Sequence, residues 1–271
     1  MIRSEADRLV RAVVCPPGRE YFSVRDPEDH NFGAVPDRRK GINQHTRLRE
    51  ILAASGCEVV EVRELPHHPN SVFTRDPSVC TPEGFVRLRM GLPTRRGEEQ
   101  WIAETLRSLG EPCVGNVEPP GTAEGGDIIL AGNVAFVGLS SRTNREGVRQ
   151  INEILTSLGY DVRVARVPPT YLHLGGAMSL VGPDRVLICQ HAFETGLFTG
   201  YNRLEVPGGS FVGGNVIVLG ENEVVADLAQ HATVDVLDRA GFTVHALNLS
   251  EFVKGKGGPS CLILPQARSG S

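Results

Sequence analysis

The sequence predicts an α/β fold made as a small propeller-like ring of ββαβ units, and three observations carry that expectation. A helix-patterned segment ending in glycine and followed by a β-rich run occurs four times, hairpin-like pairs stand before such segments, and the first three copies recur at about 50 residues. A period of that size marks a solenoid, an array or a ring. Several strands with one helix per unit favour a ring around a central channel. A doubly wound sheet is the competing architecture, but it needs mostly parallel βα alternation, which hairpin turns oppose.

The first copy is the run 48–55, Gly56 and the strand-patterned run 57–62. The second is 102–109, Gly110 and 111–114, the third 151–158, Gly159 and 160–164, and the fourth 233–240, Gly241 and 242–247. In each, apolar residues at three- and four-residue steps lead to a glycine suited to a left-handed helix cap, after which β-formers alternate. The longer gap before Gly241 leaves room for a degenerate fifth copy made from 185–189 and 201–219. Hairpins are expected from 72–79 with 85–90 across Pro82-Glu83-Gly84, and from 128–130 with 134–139 across Gly132-Asn133. Gly208-Gly209 and Gly213-Gly214 read as bends. The whole chain, 1–271, is expected to form a single domain.

Composition narrows the function. With 40% hydrophobic and 22% charged residues the chain is ordinary globular material, and a net charge of −4 with its 28 basic residues dispersed argues against a nucleic-acid or membrane-surface partner. No stretch approaches the ~20 apolar residues that a bilayer crossing needs, and residues 1–7 are too polar for a signal peptide, so a cytoplasmic location is expected. Six cysteines at irregular spacing, without a CxxC pair, oppose a zinc knuckle or a disulfide scaffold. Cys57, Cys80, Cys113 and Cys189 sit in apolar runs and read as packing. No GxGxxG or GxxxxGKS opens a helix, so neither a dinucleotide nor a nucleoside triphosphate is indicated. His67-His68 lies between prolines and reads as a loop, not a metal site.

Five places could carry chemistry. Cys261 follows the glycine-rich run 255–258 and precedes the strand-like run 262–264, so its sulfur is lightly shielded; the alternative is a packing thiol. Asp76 closes the run Asn70-Ser71-Val72-Phe73-Thr74-Arg75 just before Pro77, and could equally be a turn aspartate. In Glu124-Gly125-Gly126-Asp127, two glycines between two carboxylates allow close backbone approach, as a plain polar turn also would. His173 lies between Leu172 and Leu174, and with period two it faces away from both leucines; a structural histidine is the alternative. Arg142 lies in Ser140-Ser141-Arg142-Thr143-Asn144, with Asn144 placed to cap a helix, and is either a carboxylate clamp or a solvated side chain.

Taken together and in this order, Phe73-Thr74-Arg75-Asp76, Glu124-Gly125-Gly126-Asp127, 139–144, His173 and Cys261 resemble the guanidino-group-modifying superfamily of arginine deiminases, dimethylarginine dimethylaminohydrolases and amidinotransferases. The resemblance spans roughly 11–264. It implies a five-fold pseudosymmetric ββαβ propeller of the pentein type, with Cys261 as nucleophile, His173 as general acid and base, and Asp76 and Glu124 as the carboxylates that hold a guanidinium. It also places Asn70, Phe73, Arg95, Asp127 and Arg142 around the substrate, the two arginines at its amino-acid carboxylate. A small guanidino substrate is implied, with no metal and no cofactor, and the outer surface of such a ring leaves room for a homodimer.

The chemistry fits those residue types: a guanidinium carbon is a poor electrophile, so anions must orient it and a thiolate must attack it. An asparagine with FTRD resembles arginine deiminases, whereas dimethylargininases show an aspartate and FVED. Yet Gly175 stands where deiminases have aspartate and dimethylargininases lysine. The resemblance therefore implies a hydrolase of arginine or an Nω-substituted arginine giving a ureido product such as citrulline plus ammonia or an amine, with an amidinotransferase or a non-catalytic binding relative as alternatives.

Overall fold

The computed structural model describes residues 2–208 and 210–270, so Gly209, half of one expected bend, lies outside the described residues. Its strands form five three-stranded sheets, each assembled the same way. A middle strand pairs antiparallel on one side, with its hairpin partner in every sheet but the first, and parallel on the other with the strand that follows the connecting segment. The second sheet joins Ser78–Thr81, Gly84–Arg87 and Cys113–Asn116; the third joins Ile128–Ala131, Val134–Leu139 and Asp161–Arg166. The fourth joins Met178–Gly182, Arg185–Cys189 and Asn202–Val206, and the fifth Val216–Gly220, Glu223–Asp227 and Thr243–Leu247. The first uses both ends of the described chain: Arg8–Val14 lies between Leu264–Ser269, antiparallel, and Glu58–Glu61, parallel. This α/β arrangement fits a pseudo-fivefold ββαβ repeat.

Local sequence explains each unit. The crossover helices Arg38–Ala54, Glu98–Ser108, Arg145–Ser157 and His231–Arg239 are followed by Gly56, Gly110, Gly159 and Gly241, whose φ angles of 84–88° lie in the left-handed region that a Cβ resists. Asn144 caps the third helix by accepting from Gly147 N at 2.8 Å, a contact of the kind worth about 1 kcal/mol. That helix turns Ile151 and Leu155 inward, four residues apart on one face, into the core cluster that also holds Phe85 and Val86.

Three expectations need correction. The limb expected over 72–79 starts as a strand only at Ser78, because Pro69–Val72 is a 3₁₀ turn and Pro77 has no N–H for the ladder. Asp76 therefore precedes a strand and does not close one. The run 201–219 is not one element: Asn202–Val206 belongs to the fourth sheet and Val216–Gly220 to the fifth. In that degenerate unit the 3₁₀ turn Thr195–Phe198 stands where the others have an α-helix. Among the described residues no helix is long and apolar enough to cross a membrane.

Candidate active site

Asp76, Glu124 and His173 converge from three segments, and all three are buried. Asp76 is held ahead of its strand by its backbone, whose carbonyl accepts from Gly125 N at 2.8 Å. Its Oδ1 accepts from Gly126 N at 3.2 Å, and its Oδ2 accepts from Arg95 Nη1 at 2.6 Å. Gly126 shows why this stretch is glycine: a Cβ there would stand 2.8 Å from the His173 ring and 3.0 Å from Asp76 Oδ1. Glu124 accepts from Gly91 N and Leu92 N on Oε1, at 2.8 and 3.3 Å, and meets His173 Nε2 at 2.7 Å on Oε2.

His173 is not on a strand. It caps the short helix Leu174–Ala177 and is buried together with Leu174, so the alternation argument that turned it away from both leucines fails. Its ring is sandwiched by charge instead, with Nε2 on Glu124 and Nδ1 4.0 Å from Asp76 Oδ1. Burial alone pulls its pKa down, but Asp76 and the Glu124 hydrogen bond outweigh burial and push it up to about 9. Burial works against the Glu124 carboxylate as well, yet His173, Arg95 and Arg142 hold it well below the usual carboxylate range. The two form an imidazolium–carboxylate pair.

Cys261 lies in the 3₁₀ turn Pro259–Leu262, so the strand expected at 262–264 begins only at Leu264. The half-buried sulfur accepts from Gly258 N at 3.4 Å, with Asn215 Nδ2 at 3.9 Å. Burial, and then the nearby Asp76 charge, push its pKa up to about 11. Cys15, Cys57, Cys80 and Cys189 are buried packing groups, and Cys113 is only partly covered.

Among the substrate positions read from the sequence, Asn70, Phe73, Asp76, Arg95 and Arg142 line one cavity with His173 and Cys261. Asn70 Nδ2 donates to His30 O at 3.1 Å, and its buried Oδ1 has no partner. Asp127 does not join them. Its Oδ2 accepts from Ser140 Oγ and Thr143 Oγ1, both at 2.6 Å, and its Oδ1 from Leu174 N at 2.8 Å, so a substrate contact is replaced by a role in anchoring the residue after His173. Arg95 is committed too: Nε and Nη2 donate to Glu98 Oε2 at 2.9 and 2.6 Å, beside the Asp76 contact. Arg142, 3.7 Å from Glu124 Oε1, keeps the freer guanidinium of the two.

Sequence reasoning missed Glu98, Asn215 and the role of Arg75. Glu98 stands three residues after Arg95 at a helix start, a spacing that could have signalled the pair. Arg75 donates to Gly125 O and Ile128 O at 3.2 and 2.8 Å, fixing the Glu124–Asp127 segment. Asn215 carried no local signal, since its contacts are with residues 40 or more positions away. Asp76, Glu124 and His173 have ligand atoms within 4.8 Å of one another, the spacing of a cation site. Those atoms are already engaged with each other and with Arg95, and two arginines stand close enough to repel a divalent ion.

Comparison with known proteins adds a family, two relatives and a solved structure of one of them. Residues 35–197 match the family described as N,N dimethylarginine dimethylhydrolase, eukaryotic. The N(G),N(G)-dimethylarginine dimethylaminohydrolase of Pseudomonas aeruginosa is 33% identical over 84% of this chain and 89% of its own. An arginine deiminase of Listeria innocua is 28% identical over 74% of this chain and 62% of its own. Among solved structures, the P. aeruginosa dimethylarginine dimethylaminohydrolase, as a cysteine-to-serine mutant complexed with citrulline, superposes with a TM-score of 0.84 at 28% identity, covering 95% of this chain and 99% of that one.

Proposed function

The chain belongs to the dimethylarginine dimethylaminohydrolase family, and from that premise we infer that it is a cysteine hydrolase acting on the guanidino group of arginine or an Nω-substituted arginine, without a metal. The observation that carries the reading is the juxtaposition of Cys261 and His173 in the wall of a cavity that also holds Asp76. A planar cation entering that cavity meets the Asp76 carboxylate and the unpartnered Oδ1 of Asn70, while Arg142, held to Glu124 only at 3.7 Å, takes the amino-acid carboxylate.

Cys261 Sγ attacks the guanidinium carbon and forms a C–S bond. The leaving nitrogen takes the proton of His173 as its C–N bond breaks, and a covalent thiouronium remains. Neutral His173 then removes one proton from water, whose oxygen adds to the same carbon. The C–S bond breaks, the thiolate returns, and the ureido carbonyl forms with release of the second water proton. Glu124 keeps the imidazole ring oriented and stabilises its charged form.

The reading includes a closed five-bladed ring as one catalytic domain over 1–271, supported by the pairing of Arg8–Val14 with Leu264–Ser269. Six unpaired cysteines support a reducing, cytoplasmic setting. The test is mass spectrometry of the protein with arginine, methylarginines, agmatine and guanidino acids, with and without amine acceptors. The expected result is a ureido product without an acceptor. Product only with an acceptor makes the enzyme an amidinotransferase, and no turnover across the panel refutes catalysis.

A further inference from the structure

Cys261 and His173 border two cavities, not one. The outer holds Asn70, Asp76, Arg95 and Arg142. The inner is walled by Ile129, Met178, Phe211 and Val212, with Gly175 and Gly176 on one side. Leu172, His173, Lys256 and Cys261 belong to both.

Three of the inner cavity's polar side chains, Asn215, Ser179 and Arg75, are already paired. Asn215 Nδ2 donates to Gly175 O and Ser260 Oγ, each at 2.8 Å, and its Oδ1 accepts from Ser260 N at 2.9 Å. Ser179 Oγ donates to Gly214 O at 2.7 Å and accepts from Val216 N at 3.2 Å. Arg75 is taken up by two carbonyls and Glu5. What remains for a ligand is mostly apolar wall, with the Lys256 ammonium over the Phe211 ring and Glu5 at its edge. Gly175 opens onto the same space. A Cβ there would meet only Gly126 O, at 3.1 Å, so the absent side chain leaves its volume to the cavity.

We propose that the inner cavity binds the Nω substituent of the substrate, and that the favoured substrates are arginines bearing an unbranched alkyl arm longer than methyl. This rests on the hydrolase reading above. With the reacting carbon at Cys261 and the amino-acid end among the arginines of the outer cavity, the nitrogen protonated by His173 carries its substituent past the imidazole into the inner cavity. The reaction is alkylarginine plus water to a ureido amino acid plus alkylamine: the C–N bond to the arm breaks, a C–O bond replaces it through the thiouronium, and the amine leaves with the His173 proton.

The test is kcat/KM for arginine and its Nω-methyl, -ethyl, -propyl and -butyl derivatives, with the ureido product and the released amine both quantified. Each methylene from methyl to propyl is expected to raise kcat/KM about three- to fourfold, the effect of burying one methylene. Gly175→Leu, which fills the cavity, is expected to lower the butyl-to-methyl ratio at least tenfold. Phe211→Ala, which removes wall from a half-buried position, should flatten the rise without depending on the tight contact at Gly175. A steady fall from methyl to butyl in the wild type, or ratios unmoved in both variants, overturns the proposal while the hydrolase reading stands on the methyl derivative. No ureido product from any member overturns both.

Discussion

Raising the pH from 7 to 9 should increase kcat/KM about 50-fold. The productive free enzyme pairs a Cys261 thiolate with a His173 imidazolium, and the site raises both groups, Cys261 to about 11 and His173 to about 9. At pH 7 roughly one cysteine in 10⁴ is ionised while nearly every histidine is protonated. At pH 9 roughly one cysteine in 100 is ionised and about half of the histidines stay protonated, so the product of the two fractions grows about 50-fold. Between 9 and 11 the gain in thiolate and the loss of imidazolium offset one another, and above 11 the rate falls. The assay is initial ureido product at substrate far below KM and constant ionic strength, with iodoacetamide alkylation of Cys261 as a substrate-free check. Alkylation depends on the thiolate alone, so it should climb about tenfold per pH unit from 8 to 10. A flat or falling kcat/KM between 7 and 9, or alkylation already at its ceiling by pH 8, would refute the assignment of a buried, anion-facing thiol.

Cys261→Ser should lower turnover by at least about 10⁴-fold, because the hydroxyl is a far weaker nucleophile, yet still bind substrate by calorimetry. Asp127→Ala strands Leu174 N–H and two hydroxyls, at a cost of about 3 kcal/mol in urea unfolding, and kcat should drop more than tenfold as His173 loses its anchor. Burial outweighs Arg95 and raises Glu98 to about 7 from an ordinary 4.5. A carboxyl raised in the folded state contributes stability that is present below 4.5 and lost as pH climbs through 7. The wild type should therefore lose unfolding free energy relative to Glu98→Gln as pH climbs from 4.5 through 7, so the gap between the two changes with pH in the variant's favour. A gap that does not change with pH would count against the raised carboxyl.

What the sequence disclosed was whatever depends on neighbours along the chain. The left-handed glycines after four helices, the hairpin turns at 82–84 and 132–133, and the Asn144 cap are local decisions, legible from local residues. The site was legible as a set of residue types in order, but not as geometry. Nothing near Asp127 says that both of its oxygens are consumed by Ser140, Thr143 and Leu174, and nothing near Arg75 says that it donates to Gly125 O and Ile128 O. His173 misled because a single histidine between leucines has the same pattern on a strand and at a helix cap. The degenerate unit that forms the fourth sheet misled because its α-helix is absent, and a 3.6-residue period cannot be read from a four-residue turn.

The first sheet differs from the other four in how far apart its partners are in the chain. Elsewhere the antiparallel pair is a hairpin closed by a few residues, whereas Val13 pairs with Leu264 and Arg8 with Ser269. Closing a loop of that length costs about 5 kcal/mol of chain entropy on a logarithmic scale, several times the cost of a hairpin. Four units can thus zip up locally during synthesis while the N-terminal strand waits for its neighbour. Cys261 lies just before that late-pairing strand, so under the proposed mechanism the histidine and carboxylates are placed before the thiol that attacks beside them.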